Sequence, residues 1–200
     1  MGEEGLSPGR RAQFLEAAAQ MIAERSFANT RLSDVARHLG VSAPLLVHYF
    51  GTREHLLTEA LTYTEDRFYD LVSARLRDIP DAAGRLAELI TICCSPEPSV
   101  NLPQGWALWF EIWIRAAHDA EAARSRTELD GRWFATVAGI IQQGQDAGEF
   151  RAGIDAEHAA RMITALLDGL SIQIQLADST VTPEYALDLA FDLRDRLLGT

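Results

Sequence analysis

The sequence predicts an all-α chain of about nine helices, with a three-helix N-terminal head and a larger helical body. Three observations predict it. Apolar residues recur at spacings of three and four along most of the 200 residues, the period of a helix with one buried face. Gly, Pro and small hydroxyl or acidic residues fall where helices have to stop and start. The one run that alternates with period two, Ser171-Ile-Gln-Ile-Gln-Leu176, would be a strand with no partner, and is read as helix.

The first nine residues, with Gly2, Gly5, Pro8 and Gly9, read as a mobile tail. From Arg10 to Arg25 the chain is alanine-rich, with Phe14, Ala18, Met21 and Ile22 on one helical face. Phe27 is expected to plug the head's core, and Thr30 to cap the second helix. That helix carries Leu32, Val35, Ala36 and Leu39 inward, and Gly40 stops it in the left-handed region. Val41 is an apolar plug in the turn, Ser42 offers a hydroxyl cap, and Pro44 sits in the first turn of a third helix, where its missing N–H costs nothing. Leu46 and Phe50 face inward there; Ala43, Leu45, Val47, His48 and Tyr49 are left largely outside. After Gly51, Thr52 caps a long fourth helix through Leu56, Leu57, Ala60, Tyr63, Phe68, Leu71 and Leu76 to about Ile79, which Pro80 ends. Asp81 to Cys94 is a fifth, with Leu86, Leu89, Ile90 and Cys93 inward, and a loop with Pro96, Pro98 and Pro103 follows. Gln104 to His118 carries Trp106, Trp109, Phe110 and Trp113. Asp119 to Ala147 carries Leu129, Trp133, Val137, Ile140, Ile141 and Gly144, and Gly148 caps it. Asp155 to about Asp178 carries Ala159, Met162, Ile163, Leu166, Gly169 and Leu170. Pro183 starts the last helix, striped by Tyr185, Leu189, Leu193 and Leu197.

Two short helices joined at Gly40 are either a plain helical hairpin or a helix-turn-helix, whose second helix enters the DNA major groove. Residue identities decide between them. From Arg10 to Leu61, with Leu39-Gly-Val-Ser42 and His48-Tyr-Phe50 in place, the chain resembles the DNA-binding domain of the TetR family of bacterial regulators. The run Phe50-Gly-Thr-Arg-Glu-His-Leu-Leu57 is most similar to the subgroup containing betaine-pathway repressors. The resemblance implies a DNA-binding domain over residues 10–56 and a ligand-binding and dimerisation domain over 57–200. It implies three partners: double-stranded operator DNA, a second copy in a homodimer, and a small-molecule effector. Thr30 and Tyr49 match positions that touch phosphates in the family; Arg31, His48 and Arg53 join them. Ser42, Ala43, Pro44, Leu45 and Val47 complete the DNA-facing set. Ala43, Leu45 and Val47 replace the family's usual Lys, Thr and Tyr, so base reading is expected to lean on thymine methyls. The family's last two helices form a four-helix dimer interface, here assigned to Ile163, Leu167, Gly169, Leu170, Leu189 and Leu193. Gly169 costs roughly 1 kcal/mol of helix propensity, which points to close helix approach, within the subunit or across the dimer.

A net charge of −11 is unusual for a DNA binder. It is unevenly spread: residues 10–56 hold six arginines against four carboxylates, a local positive footprint on an acidic chain. All 18 basic residues are Arg. No apolar run approaches the ~20 residues of a membrane span, and the start is not a signal peptide. Cys93 and Cys94 are adjacent and fit neither a disulfide framework nor a metal site, which suits the cytoplasm. No P-loop, Rossmann fingerprint, paired-His spacing or nucleophile elbow is present, so no catalytic residue, metal or cofactor is expected. The alternative to a regulator is a helical protein-interaction module, but His48 and Tyr49 interrupt the apolar stripe such a docking helix needs.

The four tryptophans all lie beyond residue 100. Trp106, Trp109, Phe110, Trp113, Trp133 and Phe134, with Met162 and Leu166 opposite, are either core or the lining of the effector pocket that the resemblance implies. Glu111 and His118 are either polar handles in that pocket or solvated residues. The acidic body and the aromatic faces suit a cationic effector, although Arg115 lies one turn from Glu111.

Overall fold

The structure, a computed structural model, describes residues 7–95 and 105–199. Among them are nine helices and no strand: α1 (Pro8–Arg25), α2 (Leu32–Leu39), α3 (Ala43–Phe50), α4 (Arg53–Leu76), α5 (Ala82–Cys94), α6 (Gly105–Ala116), α7 (Ala120–Asp146), α8 (Ala156–Gln175) and α9 (Pro183–Leu198). The predicted all-α architecture is the one observed, and residues 171–175 finish α8 as helix. The proline-containing loop from 96 to 103, Gln104 and the first six residues of the predicted tail lie outside the described residues.

Local chemistry explains most boundaries. Gly40 takes φ 66° and ends α2 in the left-handed region. The Thr52 hydroxyl accepts from the His55 N–H at 3.1 Å at the start of α4. Asp81 caps α5 by accepting from the Gly84 N–H at 2.6 Å, and Asp155 and Thr182 cap α8 and α9 in the same way. Three expectations need correction. Pro8 and Gly9 belong to α1, because proline is well placed in a first helical turn. The Ser42 hydroxyl makes no capping bond. Thr30 does not cap α2; it is fully buried and donates its hydroxyl backward, to the carbonyls of Ser26 at 2.8 Å and Met21 at 3.0 Å.

The chain divides into two compact units. The first holds α1, α2, α3, α4 as far as Tyr69, and α6. Its core joins Phe14, Ala18, Ile22, Phe27, Val35, Leu46, Phe50, Leu56 and Leu57 with Leu108 and Ile112 of α6. The tryptophan-bearing helix is therefore built into the head, where α1 packs against both α2 and α6.

The second unit holds the rest of α4 together with α5, α7, α8 and α9. Here α8 packs against α5 and α9. Ile163, Leu167 and Leu170 are at most 3% exposed in the single chain. They are core, which removes them from the expected dimer interface; α8 is apolar on more than one face, and the face carrying them is already covered. A Cβ on Gly169 would meet nothing within 4 Å, so no close approach within the chain explains that glycine. Gly144 is different. A Cβ there would lie 2.2 Å from Phe150 Cδ2 and 3.0 Å from Ala82 Cβ, so the backbone of α7 needs a residue without a side chain.

Candidate functional site

The exposed side of α3 is the candidate DNA-reading surface. Leu46 and Phe50 are buried and fix the helix, which leaves Val47 at 46% exposure and Pro44, His48 and Ser42 on the surface. Ala43, Leu45 and Tyr49 are half-buried and pack against the head's core along their inner edges. His48 and Tyr49 meet edge to face at 4.9 Å, and Arg31 stands exposed just before α2. Two residues assigned to DNA are otherwise engaged. The buried Thr30 hydroxyl faces its own backbone, withdrawn from any phosphate. Arg53 donates through Nε to the Thr30 carbonyl at 2.6 Å and through Nη2 to the carbonyls of Phe27 and Ala28. Its guanidinium fastens the turn between α1 and α2.

On α6, four aromatic rings form one group. Trp113 lies 6.3 Å from Trp106, 6.4 Å from Trp109 and 6.1 Å from Phe110, centroid to centroid. Trp109 meets Phe68 of α4 edge to face at 6.4 Å, and both Trp109 and Trp113 pack against the head's core. The stripe read from the sequence is thus partly core. The indole Nε1–H of Trp113 is buried with no acceptor among the described residues. Glu111 is not a free handle: its Oε2 accepts the backbone N–H of Phe27 at 3.0 Å. His118 lies beyond the end of α6 and is exposed.

In the second unit, Trp133, Phe134 and Leu166 are half-buried and Met162 is 40% exposed. Arg161 covers the Phe134 ring at 4.4 Å. Sequence reasoning passed over two residues here. Asp168 of α8 sits where burial, and then the charge of Asp130 on α7, push its carboxyl up to about 6, with Arg126 opposing. Asp130 is raised as well, first by burial, although it pairs with Arg126 at 2.6 Å. Burial also raises Cys93 well above the ordinary thiol, helped by Cys94 and Asp168, so that sulfur is an inert neighbour. Of these two half-buried carboxylates, Asp130 holds the arginine. The signal for Asp168 was visible as a lone acid inside Leu166-Leu-Asp-Gly-Leu170. No group of three or more metal-ligating side chains occurs among the described residues, and no helix there is long and apolar enough to cross a membrane.

Two family models match this chain: bacterial regulatory proteins of the tetR family over residues 14–60, and the C-terminal part of BetI-type transcriptional repressors over residues 82–199. The chain belongs to the TetR family. It is a transcriptional regulator, and the family is one of regulators, not of enzymes. The HTH-type transcriptional regulator BetI of Cronobacter sakazakii is 26% identical to it, over all of this chain and 96% of its own length. BetI of Agrobacterium fabrum is 28% identical, over 99% and 92%. A protein of Saccharomonospora viridis, described as a transcriptional regulator and crystallised in complex with choline, superposes with a TM-score of 0.86 at 28% identity. That match covers 96% of this regulator and 98% of the other chain. A TetR-family protein from Rhodococcus gives 0.80 at the same identity.

Proposed function

We propose that this regulator represses transcription as a homodimer on a palindromic operator, and that a small cation of the quaternary ammonium class releases it. The observation that carries the reading is the Asp130–Asp168 pair on α7 and α8: both are half-buried, and Arg126 pairs with Asp130 at 2.6 Å while only opposing the rise at Asp168. Such a pair is short of positive charge, and an ammonium group that cannot be deprotonated would supply it. The choline complex of the structurally similar protein supports that ligand class. Trp133, half-buried on α7 of the same unit, suits it too, since aromatic faces attract cations by ~0.5–2 kcal/mol.

On DNA, Arg31, His48 and Tyr49 contact phosphates, while Val47, Leu45, Ala43, Pro44 and Ser42 face the bases. With so few hydrogen-bonding groups, thymine methyls carry much of the discrimination. The two heads engage half-sites about one helical turn apart, ~34 Å, or a multiple of it. The second copy packs through the outer face of α8 and α9, where Gly169, Leu189 and Leu193 are not fully buried. A cation releases the operator only as far as it binds the released conformation more tightly than the DNA-competent one.

Selection of bound sequences from random duplex DNA supplies the operator. Choline is then titrated against the bound complex beside its neutral isostere 3,3-dimethylbutan-1-ol. Release by choline and not by the isostere is the expected result. Release by both in the same concentration range would remove charge from the recognition, and release by neither would remove this ligand class.

A further inference from the structure

The turn between α1 and α2 is held from three directions. Phe27 is 6% exposed, and its backbone N–H is accepted by Glu111 of α6. Its ring lies under the Arg115 guanidinium of α6, 4.0 Å from ring centroid to guanidinium carbon, and under Arg53 of α4 at 5.3 Å. Arg53 also ties the carbonyls of Phe27, Ala28 and Thr30. Arg115 reaches Glu54 of α4 at 3.3 Å, which links the two helices that grip the turn. Within the turn, Ser26 is forced to φ 72°, a conformation that disfavours any residue with a Cβ. Such a backbone persists only where its surroundings hold it. The turn leads directly into Arg31 and α2, and so into the reading helix.

We propose that Glu111 is a positioning residue for DNA recognition: it carries the state of α6 into the helix-turn-helix through the Phe27 amide. The reason is mechanical. Glu111 follows Phe110 directly and stands two residues before Trp113, in one continuous helical stretch. A helix moves as a rigid rod, so a shift felt by the aromatic group is felt by the Glu111 carboxylate. The bond to Phe27 is 3.0 Å long, and a slide of about 1 Å takes it outside hydrogen-bonding range. Losing it leaves the turn to Arg53 and to the Arg115 cover of the Phe27 ring, without the hydrogen bond from α6, and eases the hold on Ser26. This inference rests on the reading of the chain as a DNA-binding repressor, with a substitution on α6 standing in for any event at that helix.

The test uses the full-length protein and needs no effector. Hydrogen exchange at the Phe27 amide is expected to rise about tenfold in Glu111→Ala, while residues 14–22 of α1 keep their protection. Glu111→Gln keeps an accepting oxygen and is expected to stay near the parent. Operator affinity is then measured for Trp106→Ala in three backgrounds. In the parent and in Glu111→Gln it is expected to change at least about fivefold; in Glu111→Ala the change should fall below about twofold, the signature of coupled residues. A purely structural Glu111 would lower the melting temperature but give the same Trp106→Ala effect in every background. Equal effects in all three, including none in any, overturn the proposal. Unchanged Phe27 exchange in Glu111→Ala overturns it whether or not the chain binds DNA. Failure to select any duplex would instead overturn the repressor reading.

Discussion

Carboxylates are treated differently in the two units. In the unit that carries α1, α2, α3 and α6, Glu59 meets Arg11 at 2.7 Å, Glu54 meets Arg115 at 3.3 Å, Glu16 pairs with Arg67, and Glu111 accepts a backbone amide. Each of these four acids fastens one helix or turn to another. In the unit of α5, α7, α8 and α9, Asp130 holds Arg126, which only opposes the rise at Asp168, and both carboxyls are pushed toward the neutral form. The first arrangement fixes geometry, as a DNA-reading surface requires. The second leaves a deficit of positive charge that something else can fill. A regulator of this kind needs both, and the raised pair lies in the unit where Glu88 fastens to Arg75 at 3.1 Å and Glu149 accepts the Ala83 N–H at 2.9 Å.

The contrast is sharpest at Asp168. Asp168→Asn removes the charge at constant shape, and is expected to weaken choline binding by about 10- to 100-fold, ~1.4–2.7 kcal/mol. Operator affinity without ligand should hardly move. Unchanged choline affinity in this variant, followed by tryptophan fluorescence, would break the contrast. Glycine gives the next comparison. Gly144→Ala drives a Cβ into the Phe150 ring and should cost ~1–3 kcal/mol of stability, whereas Gly169→Ala meets open space and should gain up to ~1 kcal/mol unless the dimer uses that face. A dimer weakened by Gly169→Leu in sedimentation, with the fold intact, would place the interface there.

Stability against pH tests the same deficit without any ligand. Asp168 has its folded value near 6 and an unfolded value of ~3.9. Between those values the folded state binds more protons than the unfolded one, so stability falls as pH rises from about 4 to about 6 and is level above. The group is partly solvated, so the fall should be ~1–2 kcal/mol, read from urea midpoints at fixed protein concentration. Asp168→Asn should remove that slope. A slope that survives the substitution assigns it elsewhere. The smallest expected effect is in the head: Tyr49→Phe should weaken DNA binding by about 0.5–1 kcal/mol, by a similar factor on operator and random duplex, since phosphate contacts carry no sequence information.

Much of this was legible in the sequence. The turn from Leu39 to Ser42 and the inward Leu46 and Phe50 follow from local spacing and from one glycine that has to be left-handed, and the helical reading of residues 171–175 follows from the lack of any strand to pair with. What stayed hidden depends on neighbours far away in the chain. Glu111 finds its partner 84 residues earlier, and no periodicity reports that. Periodicity showed that Ile163, Leu167 and Leu170 face something, but not that α5 and α9 already cover them. Thr30 looked like a cap because of its residue type; the carbonyls of Met21 and Ser26 took its hydroxyl first. Asp168 was passed over because a carboxylate's burial is a property of the packed chain.

Where the proposed quaternary ammonium effector seats beside Asp168, the raised carboxyl makes effector and proton competitors. A quaternary ammonium ion seated beside it favours the ionised form, so binding near pH 6 expels a proton into the buffer. The heat of binding will then depend on the ionisation enthalpy of the buffer chosen, and the apparent dissociation constant will fall as the solution is made more alkaline. At pH 6 a given choline concentration should leave more operators occupied than at pH 7.5.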